Sequence, residues 1–539
     1  MTNIPIRGVG DVGLVTDLEP QDLPLKAWTN CRNVRFSDGI LSRFSIFKQI
    51  KAGYTYAKTP SGVYDSSSEY GEGRIVTVFT DGSIEELFNG TVTDVTNTGT
   101  LITTSLKPTD CFLGGVHYIN KPLSTPVYRQ SGSSGAYVEI PGWSADDTCS
   151  SLRSFKDFLI ALNVTKSGTH YPGMVKWSDA TQAGAPPSNW DTVNTASLAG
   201  ENVINSLKGG LIDGLPLGDS FIVYGEQQAY RMDYINTPFI FSTETLFSDV
   251  GMIAKNCAVG VNGKHYVFGS NDIYVHDGMQ KQSIANGRVI KQVFGEIDFG
   301  KRNRCIVLHD DYHHEIYFCY PSVDDGAAWP LAQVDGCNRA AVFNYKFNTW
   351  TVIDLPSIVS SVNTTISSTM SWDTSPNWDN GGQTWASLEG QKPRNILVCG
   401  TGNSTLGKAA QSYFMDDIYN GRLGNPVDYD VFWDAYAETV YKDLDDIGAE
   451  LIGRKMIRRI VPQIKTPDPT TTITFTVGQA ETLSQDILWG RGLTMTPWTD
   501  LKYDTRITGR YIALRMNIPS GSYAEMSGYD ADVVAISRR

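Results

Sequence analysis

Cysteine is sparse and never paired for metal: the eight, at 31, 111, 149, 257, 305, 319, 337 and 399, form no Cys-x-x-Cys. That argues against a disulfide frame and a zinc site, and reads as reduced, packed thiols. Asn-x-Ser/Thr matches such as Asn163-Val164-Thr165 then carry no glycosylation meaning. No apolar run reaches the roughly 18 residues of a membrane span, and no basic patch precedes an apolar stretch near the amino terminus. The chain is therefore expected to be made in a cytosol, without span or signal peptide. A cationic surplus is missing too: the formal net charge is −13, which disfavours a protein whose task is to grip phosphates. Carboxylates lining a tube would let DNA slide past, through a repulsion that fades beyond a Debye length of about 8 Å. Ordinary solubility charge accounts for the same balance.

What is present is a folded composition, 41% hydrophobic and 19% charged. At 539 residues the chain exceeds one ordinary core, so several domains or one large closed β architecture are expected. Gly (51), Tyr (26) and Trp (12) are plentiful and long helical periodicities are few, which points to short strands joined by turns. One pattern recurs: an apolar strand, a turn, an aromatic-rich strand, and often a tryptophan beyond. It is seen in residues 155–180, 219–234, 263–278, 314–354 and 394–414. Irregularly spaced units of this kind fit blades of a β-propeller with insertions, a fold that gives many antiparallel strands one core and few exposed edges. Insertions are expected near 184–210 and 357–392, both anchored by tryptophan. The character shifts again after Asp428. The expected organisation is an arm and hairpin over 1–50, a propeller body over 51–427, and a β-rich segment over 428–539 that completes the propeller or a platform.

Several constellations imitate chemical sites. Gly8-Val9-Gly10-Asp11-Val12-Gly13 spells GxGxxG, but prolines follow where a helix should receive a pyrophosphate, so it reads as a flexible, turn-rich arm. Residues 402–408, GNSTLGK, resemble a phosphate loop, yet Ala409 replaces the hydroxyl that should hold magnesium. A glycine-rich blade turn explains the same letters. His309, Asp310, Asp311, His313, His314 and Glu315 are the densest group of potential ligands. Lacking a standard spacing, they read as a solvated hairpin tip in which His309 and His314 face each other. Arg454, Lys455, Arg458, Arg459 and Lys465 form the one notable basic run, suited to passing DNA, to an acidic neighbour in a ring, or to a solvated strand. No HExxH, GxSxG or Cys–His arrangement marks an enzyme, and no metal or cofactor is expected.

The most informative stretch is residues 20–43, PQDLPLKAWTNCRNVRFSDGILSR, where a proline-punctuated lead-in meets a hairpin built on Asp38-Gly39. Val34 and Phe36 point one way, Asn33 and Arg35 the other. The segment resembles the amino-terminal signature of tail nozzle (tail hub) proteins of short-tailed, podovirus-type bacteriophages. The matching residues are Leu23, Pro24, Ala27, Trp28, Asn33, Val34, Arg35, Phe36, Asp38, Gly39 and Arg43. The chain departs from the pattern at Phe44-Ser45-Ile46, where such proteins place a glycine. Residues 379–385 separately resemble the Asp-box turn of sialidase propellers, with one extra residue.

The nozzle resemblance implies a non-enzymatic virion protein, mainly β, with a propeller and a platform built from both chain ends. Six copies would form a ring beneath the head-to-tail adaptor, retain packaged genomic DNA, and conduct it toward the host envelope, with tail fibres or spikes outside. It makes Trp28 and Phe36 anchors, Asp38-Gly39 the turn, and Arg35 and Arg43 partners for neighbouring segments. The alternative is a carbohydrate-binding or glycan-degrading propeller.

Overall fold

The structure, a computed structural model, describes residues 2–19, 22–49, 55–68, 71–194, 196–236, 239–323, 336–364, 394–399, 410, 412–416, 433–444, 453–520 and 522–537. The phosphate-loop look-alike at 402–408 and the Asp-box look-alike at 379–385 lie outside these.

Five four-stranded antiparallel sheets follow one another along the chain, numbered here as blades 1 to 5. They run from Pro60–Asp65 to Thr91–Asp94, Thr109–Leu113 to Val138–Glu139, Thr148–Phe155 to Gly200–Val203, Leu211–Leu217 to Phe241–Phe247, and Ala258–Val261 to Lys281–Ser283. Blade 6 comprises Ile306–Asp310, Glu315–Tyr320, Cys337–Asn344 and the first half of a 16-residue strand, Thr349–Thr364. The second half of that strand opens blade 7. It pairs from Ile358 onward with Arg394–Cys399, followed by Ser412–Asp416 and then, from the amino terminus, Ile46–Gln49. First strands of neighbouring blades touch from blade 2 round to blade 7, blade 7 touches blade 1, and blades 1 and 2 share a core. The chain is a seven-bladed β-propeller.

Blade faces explain the continuous apolar strands. In Phe158–Lys166, Leu159 and Ala161 pack toward blade 2 while Ile160 and Leu162 pack toward blade 4. A strand buried on both faces shows no alternation. Each buried Leu, Ile or Phe of these seams is worth about 1.5–3 kcal/mol. Two-residue turns with positive φ at both positions close the tight hairpins, as at Asn89-Gly90 and Asn262-Gly263.

Both chain ends also build a β-sandwich platform. One sheet orders Val34–Ser37, Ile40–Arg43, Glu525–Ser537, Arg454–Lys465 and Tyr503–Gly509, with Thr2–Arg7 also on Glu525–Ser537. The other orders Asn30–Arg32, Ala435–Lys442, Tyr511–Ile518, Ile473–Ala480 and Leu488–Trp489, with Leu493–Met495 added. Val34, Phe36, Ile457 and Val533 of the first share a core with Ala437, Phe475, Leu514 and Met516 of the second. The same core continues into Tyr224, Val267, Phe318 and Trp350 of blades 4 to 6.

The expected organisation is refined at four points. Ile46–Gln49 belongs to the propeller, because blade 7 needs an outer strand and the chain turns back to supply it. Carboxy-terminal strands complete the platform and, among the described residues, no blade. Residues 184–210 contain the outer strand of blade 3, Gly200–Val203, and residues 357–364 finish a strand instead of opening a loop. Among the described residues no helix is long and apolar enough to cross a membrane.

Candidate functional site

The amino-terminal segment clasps the platform to blade 6. Thr2–Arg7 runs antiparallel to the last strand, Thr2 opposite Val533 and Arg7 opposite Gly528. The glycines that follow let backbone meet backbone: a Cβ on Gly10 would lie 2.3 Å from the Ile40 carbonyl oxygen, and one on Gly13 2.9 Å from that of Trp350. The GxGxxG run is thus a turn without a helix behind it. It is packed, not flexible, since Val9 and Leu14 are buried. Trp28 is buried too, and its indole N–H donates to the Val9 carbonyl at 2.7 Å.

Asn33 adopts a φ of 56°, which asparagine tolerates better than most residues. Its side-chain oxygen accepts from the Asp354 N–H at 2.8 Å. Its amide donates to Asp354 Oδ2 and to the Asp434 carbonyl, both at 3.0 Å. Its backbone N–H donates to the Val352 carbonyl, and the hydroxyls of Thr351 and Thr349 donate to the Val34 and Phe36 carbonyls. Arg35 is buried, donating from Nε and Nη2 to the two Glu315 oxygens at 2.8 and 3.2 Å, with its guanidinium 4.6 Å from the Phe44 ring centre. Arg43 is buried as well and donates to the carbonyls of Ile518, Pro519, Ser522 and Trp433. Burial pulls it down to about 10, against the nearby charge of Asp434. Both arginines pair with neighbouring segments of their own chain. Asp38 (φ 51°) and Gly39 (φ 73°) close the hairpin between Ser37 and Ile40.

The histidine-rich tip is only partly solvated. His309 Nε2 and His314 Nδ1 meet at a shared partner, each 3.2 Å from the Tyr345 hydroxyl, and the strand register sets His309 opposite Ile316. Asp310, His313 and Glu315 bring ligand atoms within 4.8 Å of one another, but Glu315 is already held by Arg35 and by the Tyr317 hydroxyl at 2.7 Å. A cation there would compete with a guanidinium. Nor does the basic run make one face. Lys455 is fully buried, Arg454 pairs with Glu481 and Arg459 with Asp504, each at 2.7 Å, and Arg458 is exposed. The seven described cysteines are buried and free, with burial raising the Cys31 thiol to about 11.

The propeller axis carries a charged network that sequence reading missed. Arg153 donates to both oxygens of Asp213, at 2.8 and 2.6 Å, and to the Asp110 carbonyl at 3.0 Å and Asn256 Oδ1 at 2.5 Å. Asp213 also accepts from the Ser151 hydroxyl and the Asn256 N–H. Burial penalises both charges, yet their contact holds Arg153 above and Asp213 below their ordinary values. One cluster thereby staples blades 2 to 5 across the centre. The signal available in the sequence was a lone charged residue inside the first strand of successive blades.

No family model matches the chain, and no curated protein matches it significantly. Solved propellers do. The WD40 propeller domain of Doa1 is 10% identical, with a TM-score of 0.38 over 70% of this chain and 98% of that one. The WD40 repeats of RRP9 are 8% identical, with a TM-score of 0.35 over 68% and 98%. The blade topology itself establishes the propeller.

Proposed function

We propose that this is a structural virion protein, the propeller-bearing subunit of the ring-shaped nozzle of a short phage tail. The observation that carries the reading is the place of the nozzle-like signature. Trp28, Asn33, Arg35, Phe36, Asp38, Gly39 and Arg43 are the residues that fasten platform, blade 6 and both chain ends together. A motif spent on holding two bodies at a fixed angle suits a subunit that must repeat by rotation, because small angular errors prevent a ring from closing. The charged network across the propeller axis supports the same division of labour. DNA would pass between copies, through the lumen of the ring, and not through any one propeller.

In this role six copies extend the portal–adaptor channel, retain the genomic DNA and conduct it toward the host envelope, with fibres or spikes on the outside. No bond chemistry is required. Electron microscopy of the purified protein mixed with its adaptor ring tests the proposal. A six-fold ring docked on the adaptor is the expected result; a protein that stays monomeric beside the adaptor ring overturns it.

A further inference from the structure

An open-mouthed cavity of about 230 Å³ lies on the propeller face where the innermost strands begin. Blades 2 to 6 each contribute to its wall, among them Lys107, Asn163, Glu226, Lys255, Arg302 and Asn303. Three of these are cations and one an anion. Among the described residues Glu226 reaches only Arg302, at 4.0 Å, across exposed side chains. Lys107 crosses the axis and donates to the Arg304 and Cys305 carbonyls at 2.7 and 2.8 Å, and Lys255 donates to the Lys107 carbonyl at 3.4 Å. No carboxylate of the described residues stands within ion-pair distance of either lysine.

Two ammonium groups are thus half-buried beside an open cavity with, among the described residues, carbonyls as their only direct partners. Burial draws Lys107 down, and draws Lys255 down to about 8 despite the more distant charge of Asp213. A desolvated, uncompensated charge is unfavourable unless a counter-charge arrives. We propose that this cavity binds a small dianionic oxyanion, a free phosphate or the phosphate of a phosphomonoester, between Lys107, Lys255 and Arg302. A dianion matches the excess of cations over Glu226, whereas a monocarboxylate leaves one uncompensated. The Asn303 amide adds a neutral donor of the kind that orients phosphate oxygens, while the Asn163 amide on the same wall is held by the Leu211 carbonyl at 3.0 Å. Duplex DNA is too wide for a cavity of this size, so the site is separate from any DNA duct and does not rest on the nozzle reading.

Isothermal titration calorimetry of the full chain at pH 7 in low salt tests it, with inorganic phosphate, glycerol phosphate and acetate as titrants. Saturable heat is expected with a phosphate and none with acetate. Stronger binding of glycerol phosphate would identify a phosphomonoester as the source, and equal binding free phosphate. Lys255→Met should weaken binding about tenfold, the loss of one charge-assisted contact. Arg302→Gln, at an exposed position, should weaken it with the melting temperature unchanged. Absence of saturable heat with both phosphates, or binding that the folded Arg302→Gln variant leaves unaltered, overturns the proposal.

Discussion

Arg35 and Glu315 stand 280 positions apart in the chain and meet in one buried bidentate contact. Removing one member leaves the other charged and desolvated, so Arg35→Met is expected to destabilise the fold by about 3–5 kcal/mol. Arg35→Lys should rescue little, because an ammonium cannot fill two carboxylate oxygens at once. The double replacement with Glu315→Met should recover most of the loss. Urea denaturation midpoints of the four proteins check this; equal midpoints for wild type and Arg35→Met would mean that the pair does not hold the arm to blade 6. A second residue-scale device is the chain His276–Tyr224–His265. The Pro216 carbonyl can only accept, at 3.0 Å, so His265 Nε2 carries the proton and Nδ1 accepts from the Tyr224 hydroxyl at 2.8 Å. Tyr224 then accepts from His276 Nε2 at 2.6 Å, and His276 Nδ1 accepts from the Gly278 N–H. Both imidazoles are thereby neutral. Burial and the neighbouring His265 draw His276 down to about 3, and burial draws His265 down against its Pro216 contact. Depressed histidines bind fewer protons folded than unfolded. Stability is therefore complete above about pH 6.5 and falls as pH drops toward 3, by about 1.4 kcal/mol per pH unit for each histidine still neutral. His276→Gln should flatten that decline in denaturation midpoints between pH 7 and 5; a slope matching wild type would show that other groups govern the acid limb.

At the scale of the element, the Asp38-Gly39 hairpin sets the angle at which the arm crosses blade 6. Both residues have positive φ, which β-branched side chains resist. Replacing them with Val-Val should misdirect Ile40–Arg43, detach Arg43 from the carbonyls of Pro519 and Ser522, and abolish the proposed ring assembly. Size-exclusion chromatography with the adaptor present checks this, and an unchanged ring counts against the hairpin. This element was legible because its turn chemistry is local. The middle hairpins of blades 3 to 5 and the outer hairpin of blade 6, Cys337–Asn344 with Thr349 onward, were legible for the same reason: two adjacent apolar strands and their turn lie within one short window. Blades 1 and 2 escaped notice because strands such as Thr91–Asp94 and Val138–Glu139 are short and exposed. In sequence Glu315 reads as part of a solvated tip, since nothing near it announces Arg35. The axial pair Arg153 and Asp213 leaves only a faint sequence trace, one charge inside a first strand, because a charge becomes buried there only once the ring of blades has closed around it.

For the whole molecule, the decisive feature is that platform and propeller share one hydrophobic core. Phe475 and Met516 of the platform belong to the same cluster as Trp350, Phe318 and Tyr224 of the blades. The linkage is topological as well, because the segment that leaves the platform at Arg43 supplies the outer strand of blade 7 three residues later. Melting the platform therefore exposes the seam of blade 6 and loosens the strand that completes blade 7. Independent domains unfold in separate steps, whereas bodies joined by a continuous core unfold together. Scanning calorimetry of the isolated chain should accordingly show one endotherm, and Arg35→Met should move that whole endotherm to lower temperature without splitting it. Two resolved transitions, with only the earlier one sensitive to Arg35, would mean that the platform is an appended domain. The amino-terminal interlock would then be a tether and could not fix the angle that a closed ring requires.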